Sequence, residues 1–284
     1  MVEIKGVQDG REPHDVLYDV VLNAPEKLYF HIGELVSPQL GLKFLLDRLM
    51  EYVTFKNGGL TFKKHGGELL TRCDPNLLPQ PYIGRAFQFM PMHLMKEMFP
   101  VLLKQQLEFI ATLNVVGDEC YSVNLEGADH DSDVWGNVCG LLEQYGHLSL
   151  NVEVKENTLL SPKILSMLAE VCRKTRIRVY IDDLCSCCHE LPHQEDYIVM
   201  LIEHLGAYIK AVKIDYLVMK EIFHLNEFHK VRKNLTDFRW LWESYSESPL
   251  PMVIFESMPL QDPRWLIRLE ELARGFQRSR FQIG

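Results

Sequence analysis

The sequence predicts an α/β barrel of the (β/α)8 type, and two observations lead to this fold class. In the second half of the chain, short apolar segments typical of buried strands alternate with longer segments of helical periodicity, which indicates a parallel sheet. Eight such strands fit within 284 residues, which is long enough for one large barrel. A doubly wound open sheet is the alternative, but no Gly-x-Gly-x-x-Gly turn or phosphate loop supports it.

The N-terminal part of the chain is less regular. Residues 1–24 form a polar lead-in with one or two helical turns. An apolar-periodic stretch at 42–53 predicts a helix, and a Gly-rich turn precedes a short predicted strand at 60–62. The Met- and Leu-rich segment at 90–113 predicts a long helix whose Met stripe belongs to the core.

From residue 120 onward the alternation is regular. The strand segments are rich in β-branched and aromatic residues, and Ser161 precedes Pro162 as a helix cap. The eight predicted strands are residues 28–32, 68–70, 120–124, 148–154, 177–181, 208–214, 251–255 and 276–283. The predicted helices in this half are residues 134–145, 162–174, 197–205, a region ending near 243, and 264–273.

Composition excludes several classes of partner and compartment. The net charge of -9 leaves no basic surplus for a nucleic-acid polymer. No apolar run approaches the length of a membrane span, and the N-terminus lacks a signal-peptide core. The cysteine count is 7, an odd number, and three of these residues crowd into 185–188, where mutual disulfides are awkward. We therefore expect a cytoplasmic protein with no membrane partner.

Acidic and polar residues recur at the ends of the predicted strands. The segment 177–183 ends in Asp182 and Asp183, whose charges repel each other unless a cation or donors compensate. Because the carboxyl ends of barrel strands meet at one face, these residues should gather at one mouth. Oxygen ligands without clustered His favour Mg²⁺ or Mn²⁺ over zinc. The set is Glu68, Asn124, Glu153, Asp182 with Asp183, Lys213 with Asp215, and Glu256.

The order and context of these residues resemble the EAL family of cyclic diguanylate (cyclic di-GMP) phosphodiesterases. The resemblance covers about residues 25–284, which would form the barrel domain after the 1–24 lead-in. It is carried by seven motifs, which are Glu68-Leu69-Leu70-Thr71-Arg72, Ser122-Val123-Asn124-Leu125, Glu153-Val154-Lys155-Glu156, Asp182-Asp183-Leu184, Lys213-Ile214-Asp215, Phe255-Glu256 and Gln277.

The resemblance implies a modified barrel with an antiparallel first strand, a two-metal site for Mg²⁺ or Mn²⁺, and hydrolysis of cyclic di-GMP to linear pGpG. Glu68, Asn124, Glu153 and Asp182 would hold one metal, and Asp182, Asp183 and Glu256 would serve the second. Lys213 and Gln277 would place the attacking water. Arg72 and Leu70 would contact the ligand, and Glu156 would anchor the loop after Asp183. A homodimer and a regulatory protein partner are further expectations.

The sequence also departs from the family pattern. The first strand reads Tyr29-Phe30-His31, so Phe30 replaces a Gln that contacts the nucleotide in the family. The loop after the paired Asp reads 184–187 Leu-Cys-Ser-Cys and lacks the family's glycines, and 36–65 is longer than usual. These changes predict weakened substrate binding and leave the metal ligands untouched.

Two other functions compete with hydrolysis. The first is a degenerate relative that senses cyclic di-GMP, or binds a regulatory protein, without turnover. The second is an unrelated barrel enzyme that uses Lys213 as a Schiff-base amine, which the acidic residues disfavour because such chemistry needs no metal ligands. Retention of the metal ligands favours catalysis.

Overall fold

The structure is a computed structural model that describes residues 10–37, 43–46, 63–113, 120–125, 132–182, 184, 194–214 and 225–256. The strands, in chain order, are β1 Leu28–Ser37, β2 Lys43–Leu46, β3 Lys63–Cys73, β4 Cys120–Asn124, β5 Leu150–Lys155, β6 Arg178–Asp182, β7 Ile209–Ile214 and β8 Met252–Glu256. The α-helices are α1 Pro13–Asn23, α2 Gln80–Gln88, α3 Met92–Thr112, α4 Ser132–Gln144, α5 Pro162–Lys174, α6 Gln194–Leu205 and α7 Leu225–Tyr245. Short 3₁₀ turns lie at Pro25–Lys27 and Thr158–Leu160.

The described strands close into a barrel in the order β1-β2-β8-β7-β6-β5-β4-β3. Strands β3 to β8 run parallel to one another, and β2 pairs in parallel with β8. Strand β1 is antiparallel to both β2 and β3. The structure therefore confirms the predicted modified (β/α)8 barrel with its antiparallel first strand.

Barrel closure corrects one sequence prediction. The helix predicted over 42–53 is wrong at its start, because Lys43–Leu46 is strand β2. This strand joins β1 to β8, with Leu45 opposite both Leu35 and Glu256. A short apolar run is compatible with either a helix or a strand. Here it forms a strand, because the edges of β1 and β8 would otherwise keep unpaired backbone N–H and C=O groups. The predicted strands 60–62 and 276–283 and the helix 264–273 lie outside the described residues.

The helical layer agrees with the sequence in most places. The helix predicted over 90–113 is α3, but a separate helix, α2, precedes it and was not predicted. Helix α2 begins after Pro79 with a second proline in its first turn, which is a helix start signal. The predicted cap is confirmed, because the Ser161 hydroxyl accepts a hydrogen bond from the Ile164 N–H at 3.5 Å.

The N-terminal helix α1 packs on the barrel's helical layer. Its apolar face, with Val16, Leu17, Val20 and Val21, is buried, and it contacts α2 and α3. The Tyr18 hydroxyl donates to Glu97 on α3 at 2.5 Å. Part of the predicted lead-in therefore contributes to the core. The predicted domain boundary near residue 25 remains a prediction. Among the described helices, none is long and apolar enough to cross a membrane.

Gly66 in β3 allows a close backbone approach to Cys120 of β4 in the barrel wall. It has a φ of +123°, and a Cβ at this position would lie 1.8 Å from the Cys120 carbonyl oxygen of β4. The pairing of β1 with β3 is also irregular here, since Leu35 faces Gly66 while Val36 faces Lys64. Only glycine satisfies both the backbone angle and the space.

We therefore expect Gly66→Ala to lower the free energy of unfolding by more than about 2 kcal/mol, because strain and a backbone clash combine. Urea unfolding followed by circular dichroism measures this loss. Gly136→Ala is the matched control, since Gly136 lies on the exposed side of α4 with open space around it. The control should be neutral or stabilising by about 0.5–1 kcal/mol. Equal stabilities for the two variants would contradict the prediction.

Candidate active site at the barrel mouth

Four charged side chains from four strands meet inside the barrel. Glu68 comes from β3, Glu153 from β5, Asp182 from β6 and Lys213 from β7. Alternate residues of a strand face the barrel interior, and the register places Glu68 beside Ser122 and Asn124 beside Glu153. Each of the four charged residues is buried. We call Glu68, Glu153, Asp182 and Lys213 the charged cluster.

Lys213 lies at the centre of this cluster. Its Nζ atom donates a hydrogen bond to Glu153 Oε2 and lies 3.4 Å from Glu68 Oε2 and 3.7 Å from Asp182 Oδ1. Its side chain is only 3% exposed. Three ionised carboxylates around one ammonium group carry a formal excess of two negative charges, which a buried site does not favour without a further cation or donors.

Ser122 holds one carboxylate of the cluster in place. Its hydroxyl donates to Glu153 Oε1, so Glu153 is fixed at both oxygens, by Ser122 on one side and by Lys213 on the other. Ser122 belongs to one of the seven sequence motifs, but the motif predicts no role for it. The available signal was its position two residues before Asn124, which places both side chains on the same face of β4.

The remaining predicted metal ligands are described to different extents. Asn124 ends β4, is half-buried and lines a cavity together with Glu68. Glu256 is the last residue of β8, where its backbone pairs with Leu45 of β2. Asp183 and Gln277 lie outside the described residues. The cluster of the structure therefore holds three of the predicted carboxylate ligands, with Asn124 beside it.

A cavity of about 240 Å³ opens beside the charged cluster. The predicted ligand contacts Leu70 and Arg72 line it, next to Glu68 and Asn124. Its apolar wall comes from α2 and α3 and consists of Ile83, Phe87, Phe99 and Leu102. A half-buried guanidinium beside an apolar wall suits a ligand that carries both a phosphate and a flat ring.

Glu156 is placed next to the end of β6. Its backbone N–H donates to the Asp182 carbonyl at 3.0 Å, and its own carbonyl accepts from the Tyr197 hydroxyl at 3.0 Å. Glu156 is 1% exposed. These bonds tie it to the backbone immediately before the predicted loop. The loop itself, apart from Leu184, lies outside the described residues.

Beneath the charged cluster, the barrel interior contains hydrogen-bonding groups beside the apolar Ala211 and Ile254. Asn151 Nδ2 donates to Cys120 Sγ at 2.9 Å, and the Tyr180 hydroxyl lies 3.7 Å from the same sulfur. Burial is the main cause that raises the pKa of Tyr180 well above its usual value, so its phenol stays neutral. A cavity of about 10 Å³, the size of one water, separates this layer from Lys213 and Glu153. No feature of the sequence analysis predicts this layer.

The structure corrects the role predicted for Phe30. Its ring packs against Phe109 of α3, with centroids 5.3 Å apart, and its backbone pairs with Thr71, whose hydroxyl accepts from Gln106 of α3. Phe30 therefore faces the helical layer and does not stand in the place of a ligand-binding amide. Its neighbours Tyr29 and His31 have the opposite orientation.

Burial disfavours a nucleophilic role for two thiols. Burial raises the pKa of Cys139 to about 11 and that of Cys172 to about 12, so both remain protonated near neutral pH. Cys73, Cys120, Cys139 and Cys172 are free thiols. Cys185, Cys187 and Cys188 lie outside the described residues.

The charged cluster fits a divalent cation in its donors and its charge. Glu68, Glu153 and Asp182 offer the oxygen ligands that hard dications prefer, and two excess negative charges would match a dication. The buried Oδ1 atom of Asp182 has no hydrogen-bond partner. Within the described ranges, no three His, Cys, Asp or Glu side chains form a ready set of metal ligands. In this structure Lys213 lies between the carboxylates that would have to share an ion.

Comparison with solved structures identifies the barrel. The FimX EAL domain matches with a TM-score of 0.55 at 12% identity, over 92% of this chain and 91% of that domain. Strand β1, antiparallel to both of its neighbours, belongs to the same arrangement. The fold is that of an EAL domain. No protein-family model matches the sequence, and no curated protein matches it either.

Two further EAL structures extend the likeness. The S helix-GGDEF-EAL region of Vibrio cholerae LapD has a TM-score of 0.57 at 14% identity, and the match covers 96% of this chain but 56% of the LapD chain. The Xanthomonas citri FimX EAL domain, solved in complex with cyclic di-GMP, has a TM-score of 0.53 at 10% identity, over 92% of this chain and 87% of that domain. At these identities the likeness of the EAL barrel is one of fold.

The double anchoring of Glu153 generates a stability prediction. Glu153→Leu should lower the free energy of unfolding by about 3 kcal/mol or more, because it removes a hydrogen-bonded partner of the buried Lys213 ammonium. Denaturant unfolding in the presence of EDTA measures the loss. Glu143→Leu is the control, since Glu143 pairs with Lys174 on the surface and is 41% exposed. Its change should stay within about 0.5 kcal/mol, and a similar loss in both variants would refute the anchoring role.

Proposed function

We propose that this protein is a metal-dependent phosphodiesterase that hydrolyses cyclic di-GMP to linear pGpG. The observation that carries the proposal is the convergence of Glu68, Glu153, Asp182 and Lys213 at the mouth of an EAL-type barrel. An EAL domain of the same fold has been solved with cyclic di-GMP bound. The reaction adds one water and breaks one of the two phosphodiester linkages of the ring.

The residues have distinct proposed tasks. Mg²⁺ or Mn²⁺, held by Glu68, Asn124, Glu153 and Asp182, with Asp183 and Glu256 serving a second ion, would supply positive charge at the phosphate and make water more acidic. Lys213 and Gln277 would hold the attacking water. Ser122 keeps Glu153 in a fixed orientation, so the site does not have to reorganise when substrate arrives.

The cavity beside the charged cluster would bind and orient the substrate. Arg72 would bind a phosphate of the substrate, and Leu70 with the wall of α2 and α3 would contact its base. The loop 184–187 lacks the glycines of the family, so we expect a raised KM. Phe30 does not add to this expectation, because it faces the helical layer.

Cytoplasmic location, a homodimer and a regulatory protein partner belong to the same proposal, and the free thiols suit a reducing compartment.

A cyclic di-GMP sensor without turnover is the second candidate. One observation favours it, which is the buried ammonium of Lys213 bonded among the carboxylates that would bind metal. A sensor would use the same cavity and fold but would release no product. The two candidates therefore differ in product formation, not in ligand binding.

Product formation tests the first candidate directly. The purified protein with excess Mn²⁺ should convert cyclic di-GMP to pGpG, separated by liquid chromatography. Glu68→Gln should reduce turnover below detection while the melting temperature changes little, since the amide keeps the shape and removes a ligand charge. Glu170→Gln, which alters an exposed ion pair on α5, is the control and should retain full rate. Binding of cyclic di-GMP without product in the unaltered protein would establish the sensor instead.

Arg72 provides a separate test of substrate placement. Arg72→Ala should weaken cyclic di-GMP binding by about tenfold to a hundredfold, because a charged hydrogen bond to phosphate contributes about 1.5–3 kcal/mol. Calorimetric titration with Ca²⁺ in place of Mn²⁺ measures affinity. Arg173→Ala, on the exposed side of α5, should leave affinity unchanged. Equal affinity for Arg72→Ala and the unaltered protein would remove Arg72 from the binding site.

A further inference from the structure

Lys213 interacts with all three acidic residues of the charged cluster. An ammonium group has three donors, and three carboxylates from β3, β5 and β6 lie within 4 Å of it. Glu68 and Glu153 accept hydrogen bonds from it, whereas Asp182 lies 3.7 Å away and its Oδ1 stays without a hydrogen bond. The ammonium thus compensates the cluster only in part.

Two described neighbours of the cluster, Ser122 and Tyr180, are uncharged. Ser122 supplies one neutral donor to Glu153, and Tyr180, on the same interior face below, stays neutral because burial raises its pKa. Without Lys213, the formal charge of the four-residue cluster would change from -2 to -3 in a site where Glu153 is 1% exposed. Charges of one sign at this depth cost several times more than they do in water.

We propose that Lys213 is the resident counter-ion of the metal-free site, which keeps Glu68, Glu153 and Asp182 assembled and gives way when a divalent cation binds. The inference rests on the proposed metal-dependent function and adds a control of metal affinity by the chain itself. A lysine suits this task because its single charge sits on a flexible four-carbon stem and can withdraw by rotating its side chain. Asp182, which the ammonium satisfies least, retains an oxygen for the incoming ion.

The proposal predicts opposite effects of one substitution on two properties. Lys213→Met keeps the length of the side chain but removes the charge. Without metal, three carboxylates then face one another, so the melting temperature in EDTA should fall by about 5–15 °C. With Mn²⁺, the ion no longer competes with a buried ammonium, so the dissociation constant for Mn²⁺ should fall by about tenfold or more. A residue that only fills space would not tighten metal binding.

Asp182→Asn is the matched variant, for which we expect opposite effects on metal-free stability and on Mn²⁺ affinity. It removes one excess negative charge, so the metal-free protein should melt no lower than the unaltered protein. The same change removes a ligand charge, so Mn²⁺ should bind at least about tenfold more weakly. Melting curves in EDTA and in Mn²⁺, with calorimetry of Mn²⁺ alone, provide both readouts without any measurement of turnover. Should Lys213→Met not fold in EDTA, Lys213→Gln, which keeps a neutral donor, is measured in its place.

The outcomes separate this inference from the proposed function. Lys213→Met that is as stable as the unaltered protein in EDTA, or that binds Mn²⁺ no more tightly, overturns the counter-ion role, even if the unaltered protein hydrolyses cyclic di-GMP. Opposite shifts with no hydrolysis support the counter-ion role and reject the phosphodiesterase. An unaltered protein that binds neither Mn²⁺ nor Mg²⁺ rejects both.

Discussion

The burial of charge inside the barrel is the constraint on which this structure depends. Glu68, Glu153, Asp182 and Lys213 lie on four different strands, so the strands must keep one register for the charges to meet. A shift of one residue in any strand would turn its charged side chain toward the helical layer, where the described strand neighbours, such as Leu69, Val152 and Val212, are buried and apolar and an unpaired charge is costly. The charged cluster and the barrel register therefore specify each other.

The rest of the barrel supports this arrangement from below and from the side. Asn151, Cys120 and Tyr180 place hydrogen-bonding groups in the interior under the cluster, which is consistent with a site that carries charge above them. On the outer side of β3, Gln106 donates to Thr71 at 3.0 Å and links the strand that carries Glu68 to α3. Movement of α2 or α3 would thus alter the cavity lined by Arg72 as well as the strand of Glu68.

The closure of the barrel shows why the fold class can be predicted from sequence more easily than some of its individual elements. Strand β1 alone runs against its neighbours, and β2 supplies the parallel partner of β8. With 4 residues, β2 carries too few side chains to show a period, and only the two edges that it joins make it a strand. Gly66 has a similar dependence, because its need to be glycine comes from the carbonyl of another strand.

The sequence by itself determined the barrel class and most of its strands, because buried parallel strands are continuous apolar runs that need no knowledge of their neighbours. It also singled out Glu68, Glu153, Asp182 and Lys213, because charged residues at the ends of such runs are exceptional. Tertiary structure alone decided that 43–46 is a strand, that Phe30 packs on Phe109, and that Ser122 fixes Glu153. Each of these depends on a contact between residues distant in sequence, which local periodicity and propensity do not encode.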